Sequence, residues 1–361
     1  MKRTFFIIAA GILLLLGLGL GVFWADSGTR SADDLTQHTR YSATSPSATR
    51  DTFTVTTYNL GHLTGLSDSA RTHAGRRSAL NRATALLQRT NADFIGLQEV
   101  DFGMSSSVID SMAVRLGMKN AVEAVRWNDR YSPFAPNFGP IVSGQSILSR
   151  YPIRRHVRTR VQDSARSFWS GMFRPEPVVQ TVAIGIGGWP LFVMNVNLDA
   201  PDVSTREQHA REVNRLYLRL SSLGMPVLII GSIDSPISSA AALASDGPST
   251  SSNNDTVELL LRGTSLQPAF FAEGARVTGQ SVATYPADNP RRKVDYIFYR
   301  AGRIVPTNAN IRCGEPPPPS DHCAVTLSFL LPRPLDRLPE KRIPDDQLPS
   351  LDSLLNAAPK D

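Results

Sequence analysis

Cysteine is almost missing from this chain: Cys313 and Cys323 are the only two in 361 residues. Two thiols without a nearby pair of histidines do not complete a tetrahedral zinc site, which leaves structural zinc without support. The apolar N-terminal run holds no cysteine either, which excludes a bacterial lipoprotein anchor. No G-x-x-x-x-G-K-[ST] phosphate loop and no G-x-G-x-x-G fingerprint occurs, leaving nucleotide-driven and dinucleotide chemistry without support. A nucleophile elbow is absent as well, because Ser232 lies in GSIDS and not in G-x-S-x-G.

What is present begins with the N-terminus. Lys2 and Arg3 precede 21 uncharged residues, Phe5 to Ala25, which as a helix would span ~31 Å, about one hydrocarbon core. Such a run is a membrane helix or a long signal sequence. Phe23, Trp24 and Ala25 before Asp26 lack the small-x-small pattern of a cleavage site, so residues 1–25 read as an uncleaved transmembrane anchor. Lys2 and Arg3 favour the cytoplasmic side, which places the remainder on the extracytoplasmic side, periplasm or cell exterior.

Residues 26–51 are rich in Ser, Thr, Ala, Asp and Arg and read as a flexible linker. Residues 332–361 mix proline with charges and read as an extended, disordered tail. The folded unit is then 52–331. The two ends contribute ten basic and ten acidic residues, so the full net charge of +6 falls on that unit. The excess suits anionic substrates and equally suits an ordinary solvated surface. With 41% hydrophobic residues, 26 Pro and 25 Gly, the composition fills a core and favours short strands joined by turns.

Apolar, β-branched runs predict strands at Phe53–Tyr58, Phe94–Leu97, Ser146–Leu148, Val178–Ile186, Leu191–Val196, Val227–Ile230, Val294–Tyr299 and Ala324–Leu330. Helical spacing appears over Arg76–Thr90 and Thr205–Leu220; Ser204 with Glu207 predicts a capping box, and Gly224 a stop. Strand, helix, strand thus occurs once in each half. Two packed mixed β-sheets flanked by helices, an α/β sandwich, satisfy that order.

Polar residues close the strands: TYN at Asn59, LQEVD around Glu99, SILSRYPI from Ser146, NVNLDA from Asn195, IGSIDSP from Ile230, VDYIFY around Asp295, and SDHCAV around Asp321 and His322. Strand ends in open α/β sheets converge on ligands, so one shared pocket is expected. This ordered series, over about 53–331, resembles the endonuclease/exonuclease/phosphatase superfamily and its deoxyribonuclease I-like four-layer sandwich. The resemblance implies divalent-metal-dependent hydrolysis of a phosphorylated substrate: nucleic acid, lipid headgroup or small phosphoester.

Residue by residue, it implies that Glu99 and Asn59 stand at an Mg2+ or Mn2+ ion, with Asp321 as a further ligand, while Asn59 and Asn195 bind substrate. A hard cation that keeps several waters needs only one or two such oxygen donors besides the substrate phosphate. His322 matches the family's histidine and Asp295 the carboxylate that orients it; a histidine so held can bind or protonate the charge growing on a phosphate.

Two motifs depart from the family. N-x-H is replaced by Asn195-Val196-Asn197, and G-D-x-N by Gly231-Ser232-Ile233-Asp234. Asn197 cannot shuttle a proton, and a serine hydroxyl is a poor base. Asp234, two residues beyond Ser232 on an extended segment, offers a replacement carboxylate on the same side. Two readings stay open: a hydrolase with a rewritten site, and a catalytically weak relative that binds a phosphorylated ligand.

Arg71, Arg76 and Arg77, and Arg291, Arg292 and Lys293, flank two of these motifs and can gather anionic substrate or merely solubilise the surface. Ser167–Phe173 (SFWSGMF) is a bilayer-touching loop or a piece of core. Cys313 and Cys323 bracket the SDH turn and are either a disulfide or two buried thiols. Nothing in the sequence sets the oligomeric state.

Overall fold

The apolar N-terminal run is helical: α1 spans Lys2–Asp26. The computed structural model describes residues 2–26, 36–41, 51–63, 73–102, 108–129, 141–163, 175–186, 189–200, 202–235, 256–271, 276–278, 282–332 and 350–356. Arg71 and Ser167–Phe173 lie outside the described residues. Within α1 the described side chains run from Ile8 to Gly21 only. Among the described residues, no helix is long and apolar enough to cross a membrane.

After α1 come β1 (Thr36–Arg40), β2 (Thr52–Asn59), α2 (His73–Gln88), β3 (Phe94–Asp101), α3 (Val108–Leu116), β4 (Asn120–Asp129) and β5 (Ile141–Ser149). The second half runs β6 (Ile153–Arg160), β7 (Val178–Ile186), β8 (Trp189–Asn197), α4 (Val203–Ser222), β9 (Val227–Ser232), α5 (Thr256–Leu261) and β10 (Leu266–Pro268). It closes with β11 (Arg276–Thr278), β12 (Asp295–Arg300), β13 (Val305–Arg312), β14 (Ala324–Leu330) and α6 (Leu351–Asn356).

The strands form an eight-stranded sheet, β1-β4-β5-β3-β2-β14-β13-β11, and a six-stranded sheet, β10-β12-β9-β8-β7-β6. Each holds a parallel pair joined through a helix, β2 with β3 and β8 with β9, while most other pairings are antiparallel. A helical crossover is what allows consecutive strands to run parallel. Alternation then sorts the side chains. Phe53 and Val55 of β2 meet Val193, Leu228 and Ile230 of the other sheet in the central core, whereas Tyr58 joins the layer under α2.

On one outer face Ala79, Ala83, Leu86 and Leu87 of α2, with Ile109 and Met112 of α3, cover the large sheet. On the other, Ala210, Val213, Leu216, Tyr217 and Leu220 of α4 cover the small one. Full burial of each large apolar side chain stabilises the native state by ~1.5–3 kcal/mol. Helix, sheet, sheet, helix is therefore the layer order, as expected.

Three details differ from the sequence reading. Helix α4 begins two residues early, because Asp202 and not Ser204 caps it: Asp202 Oδ1 accepts from the Thr205 amide at 2.8 Å and Oδ2 from the Thr205 hydroxyl at 2.9 Å. Part of the expected linker is β1, the edge strand of the large sheet, whose polar residues pair with β4 through backbone groups that need no apolar side chain. Part of the expected tail is α6, where Leu351 and Leu355, four apart, are buried against the α4 layer.

Candidate active site

The end of β2 and the end of β3 lie side by side, Asn59 paired with Gln98. Register in β3 breaks between Leu97 and Val100, and Glu99 at that irregularity has φ +51°. The kink turns neighbouring side chains apart. Gln98 goes inward, donating to Asn195 Oδ1 at 2.6 Å and Thr57 Oγ1 at 3.0 Å. The Glu99 carboxylate instead receives Asn59 Nδ2 at 2.9 Å and Asn197 Nδ2 at 3.2 Å, both on Oε1. Its other oxygen, Oε2, faces His62 Nε2 at 3.9 Å. Burial alone would raise the Glu99 pKa; His62, then Asn59, His322 and Asn197, more than offset it and hold the carboxyl below its ordinary range.

Gly61, His62 and Leu63 follow Asn59 with φ of +51°, +55° and +53°. A left-handed turn of this kind costs roughly 1–2 kcal/mol for each non-glycine residue. Gly61 is required on space as well, since a Cβ there would lie 2.6 Å from Asp321 Oδ1. His62 Nδ1 lies 2.7 Å from Asp101 Oδ1, and Arg76 reaches the other oxygen of Asp101 at 3.5 Å. Burial opposes protonation of His62, but Asp101 and then Glu99 raise its pKa.

His322 enters from the opposite side. Asp295 opens β12, which pairs with Ser232 at the end of β9, and Thr284 Oγ1 accepts from the Val294 and Asp295 amides at 3.1 Å. Both Asp295 oxygens lie 3.0 Å from His322 Nδ1. Burial pushes the imidazole down, but Asp295, followed by Asp321 and Glu99, carries its pKa up to about 9. The buried Ser320 fastens this turn to β2, donating to the Asn59 carbonyl at 2.8 Å. Tyr285 packs on the His322 ring at 5.0 Å, and the Cys313–Cys323 disulfide closes the preceding loop.

Glu99, Asn59, Asn197, Asp295, Asp321 and His322 are thus gathered, and three of the expected roles change. Asn59 does not offer its amide oxygen outward: Oδ1 accepts from the Gly61 amide at 2.9 Å while Nδ2 holds Glu99. Asn195 cannot meet substrate, being fully buried with its amide spent on Gln98, Gln180, Leu97 and Ser146. Asp234 is committed too. Arg206 Nη1 and Arg292 Nη2 hold its two oxygens at 3.4 and 2.5 Å.

The basic flank divides. Arg292 clamps Asp234 and lies 5.7 Å over the Tyr285 ring, whereas Lys293 is buried 4.3 Å from the Phe270 ring, its pKa pushed by burial down to about 7. Only Arg291 and Arg292 of that trio face solvent. His62, Asp101 and Arg206 complete the site and were not anticipated. The signal for the first two was at hand, a histidine three residues after Asn59 and an acid two residues after Glu99.

A divalent cation fits this donor set. Glu99 Oε2 has no hydrogen-bond donor among the described residues, and the Asp321 carboxylate sits beside the same turn. No group of three His, Cys, Asp or Glu side chains able to hold a metal is found among the described residues. Water and substrate oxygens would have to fill the remaining positions, which Mg2+ accepts readily.

Residues 56–322 match the sequence model of the endonuclease/exonuclease/phosphatase family. No curated protein matches the chain. Among solved structures, an endonuclease/exonuclease/phosphatase from Bacteroides vulgatus is 14% identical with a TM-score of 0.56, over 78% of this chain and 100% of that one. A mannosyl-6-phosphatase from Bacteroides thetaiotaomicron is 13% identical with a TM-score of 0.54, over 77% and 100%. A further endonuclease/exonuclease/phosphatase, from Beutenbergia cavernae, is 15% identical with a TM-score of 0.52, over 78% and 72%. At these identities the likeness concerns the fold, the two mixed sheets between helices.

Proposed function

This chain belongs to the endonuclease/exonuclease/phosphatase family, and from that premise we propose that it is a divalent-metal-dependent hydrolase of phosphoester bonds whose water-activating side has been rewritten. The observation that carries the reading is the His322–Asp295 pair at 3.0 Å, set across one site from Glu99. Glu99 through Oε2, with Asp321, would hold Mg2+ or Mn2+; the bound ion would offset phosphate charge and polarise a phosphoryl oxygen.

The chain's own groups do the rest. Asp295 fixes the ring of His322 and keeps it protonated at neutral pH, so that Nε2–H is presented to phosphoryl oxygen. Asn59 and Asn197 orient the Glu99 carboxylate by donating to Oε1. Neither Asn197 nor Ser232 accepts a proton usefully, so water activation is the weak step of this site. The replacement carboxylate that Asp234 offered is tied to Arg206 and Arg292. That ion pairing favours a second reading, a phosphate-binding relative with little turnover.

The substrate is a phosphoester drawn from nucleic acid, lipid headgroup or small molecule, and the sugar-phosphate activity named for one structural neighbour belongs to the last class. The experiment is turnover of DNA, RNA, sphingomyelin, phosphatidylinositol phosphates and phosphomonoesters with Mg2+ or Mn2+. Hydrolysis lost in Glu99→Ala supports the enzyme, whereas ligand binding without hydrolysis selects the second reading.

The same proposal includes a membrane tether through α1 with the domain on the extracytoplasmic side. Among the described residues, eight of the eleven large exposed hydrophobic side chains, from Ile8 to Leu20, sit on α1, a concentration that water does not tolerate on a free helix. The disulfide suits an oxidising compartment. Membrane fractionation with protease shaving of intact cells tests it; release of the chain with the soluble fraction would remove the tether.

A further inference from the structure

His62 belongs to no motif the family reading uses, yet among the described residues it faces the Glu99 oxygen that receives no hydrogen bond. Glu99 Oε1 is saturated by Asn59 and Asn197, and Oε2 looks at His62 Nε2 across 3.9 Å. The far nitrogen of the ring, Nδ1, is held at 2.7 Å by Asp101. A carboxylate can only accept there, so Nδ1 keeps its proton and Nε2 is the atom open to a cation, which must displace the Nε2 proton that Asp101 and Glu99 favour in the metal-free ring. Carboxylate, imidazole and a facing ligand oxygen form the arrangement in which histidines bind metals, the outer carboxylate fixing tautomer and ring orientation.

The spacing agrees. With metal–ligand bonds of ~2.1 Å, two donors on one ion lie about 3.0 Å apart when adjacent and about 4.2 Å apart when opposite. The 3.9 Å gap is wider than the first value and a little under the second, so a small side-chain adjustment brings both groups onto one ion. The backbone is bent for the purpose at both ends, φ +55° at His62 and +51° at Glu99. Left-handed non-glycine residues facing each other across a polar gap are where strain is kept for a ligand. Arg76 on Asp101 completes the outer layer and compensates its charge.

We propose that His62 is a protein ligand of the divalent ion, sharing it with Glu99 and oriented by Asp101. The inference rests on the metal-dependent reading given above. An imidazole donor shifts the site away from Mg2+ toward first-row cations, Mn2+ modestly and Fe2+, Ni2+ or Zn2+ more strongly, because nitrogen ligands suit the later ions better.

The test is binding of Mn2+ alone to the full chain, read by electron paramagnetic resonance titration and by the 14N echo modulation of the bound ion. The expected result is imidazole 14N modulation in the unmutated protein that persists in His322→Gln and vanishes in His62→Asn, a replacement chosen because asparagine tolerates the left-handed backbone. Mn2+ affinity falls about 10- to 100-fold in His62→Asn and by a similar factor in Asp101→Asn, while Mg2+ affinity moves little. Glu99-dependent Mn2+ binding without 14N modulation, or modulation that survives in His62→Asn, overturns the ligand assignment and leaves the hydrolase reading standing. Absence of Mn2+ binding overturns it together with the metal dependence. Modulation present in a protein with no phosphoester turnover supports the ligand while removing the hydrolase.

Discussion

Gly61 shows how much a single residue carries here. Its φ is +51° and a Cβ would come within 2.6 Å of Asp321 Oδ1, so Gly61→Ala both strains the turn and pushes a candidate metal carboxylate. The variant is expected to lose about 1–3 kcal/mol of stability, read by denaturant unfolding, and to bind Mn2+ more weakly; wild-type values for both would refute the close packing. Glu99, Asp295, Asp321 and His322 were legible in sequence because each ends or begins an apolar strand within a short motif. The arginine clamp on Asp234 was not, since Arg206 and Arg292 come from α4 and the stretch before β12, far apart in sequence. Asn195 reads in sequence as a substrate ligand for a similar reason. Its partners Gln98, Gln180 and Ser146 lie on three other strands, and only their convergence shows a group spent on joining sheets.

At the scale of elements, periodicity located α2 and α4, and apolar runs located most central strands. The strands that escaped were largely polar: β1 is held by its backbone, and β4, β6 and β13 mix charged and polar residues with apolar ones, while the short helices α3 and α5 escaped for want of length. The loop between Cys313 and Cys323 leads into Asp321 and His322, with the Cys323 amide on the Thr284 carbonyl at 2.8 Å. Replacing both cysteines by serine is expected to cost about 2–3 kcal/mol in the loop-closure account. Chemical denaturation checks this, and unchanged stability in the double variant, with two thiols titrating in the unmutated protein, would refute the bridge. His156 on β6 gives the same scale a pH signature. Burial, followed by the nearby His38, lowers its pKa to about 4. Between that value and an unfolded pKa of ~6.5 the unfolded chain binds a proton that the native chain does not, so stability falls as pH drops through this window. The full effect is about 3 kcal/mol. In His156→Gln the acid limb of the stability curve should flatten; an unchanged limb would show that another group sets it.

Across the whole molecule, the four layers follow from repeating strand, helix, strand in each half, which is why the architecture was readable before any coordinate. The site was readable only as a set of strand ends. Its chemistry depends on which groups the two sheets bring face to face, and there the molecule combines an intact His322–Asp295 pair with an Asn197, a Ser232 and a clamped Asp234 where proton acceptors would be needed. The claim that this arrangement hydrolyses phosphoesters is tested most directly by steady-state turnover of the full chain on the phosphoester panel with Mn2+, beside Glu99→Ala and His322→Ala. The account predicts that at least one substrate is cleaved and that each variant slows it by roughly 10²- to 10⁴-fold. Rates on every substrate indistinguishable from those of the two variants would contradict it.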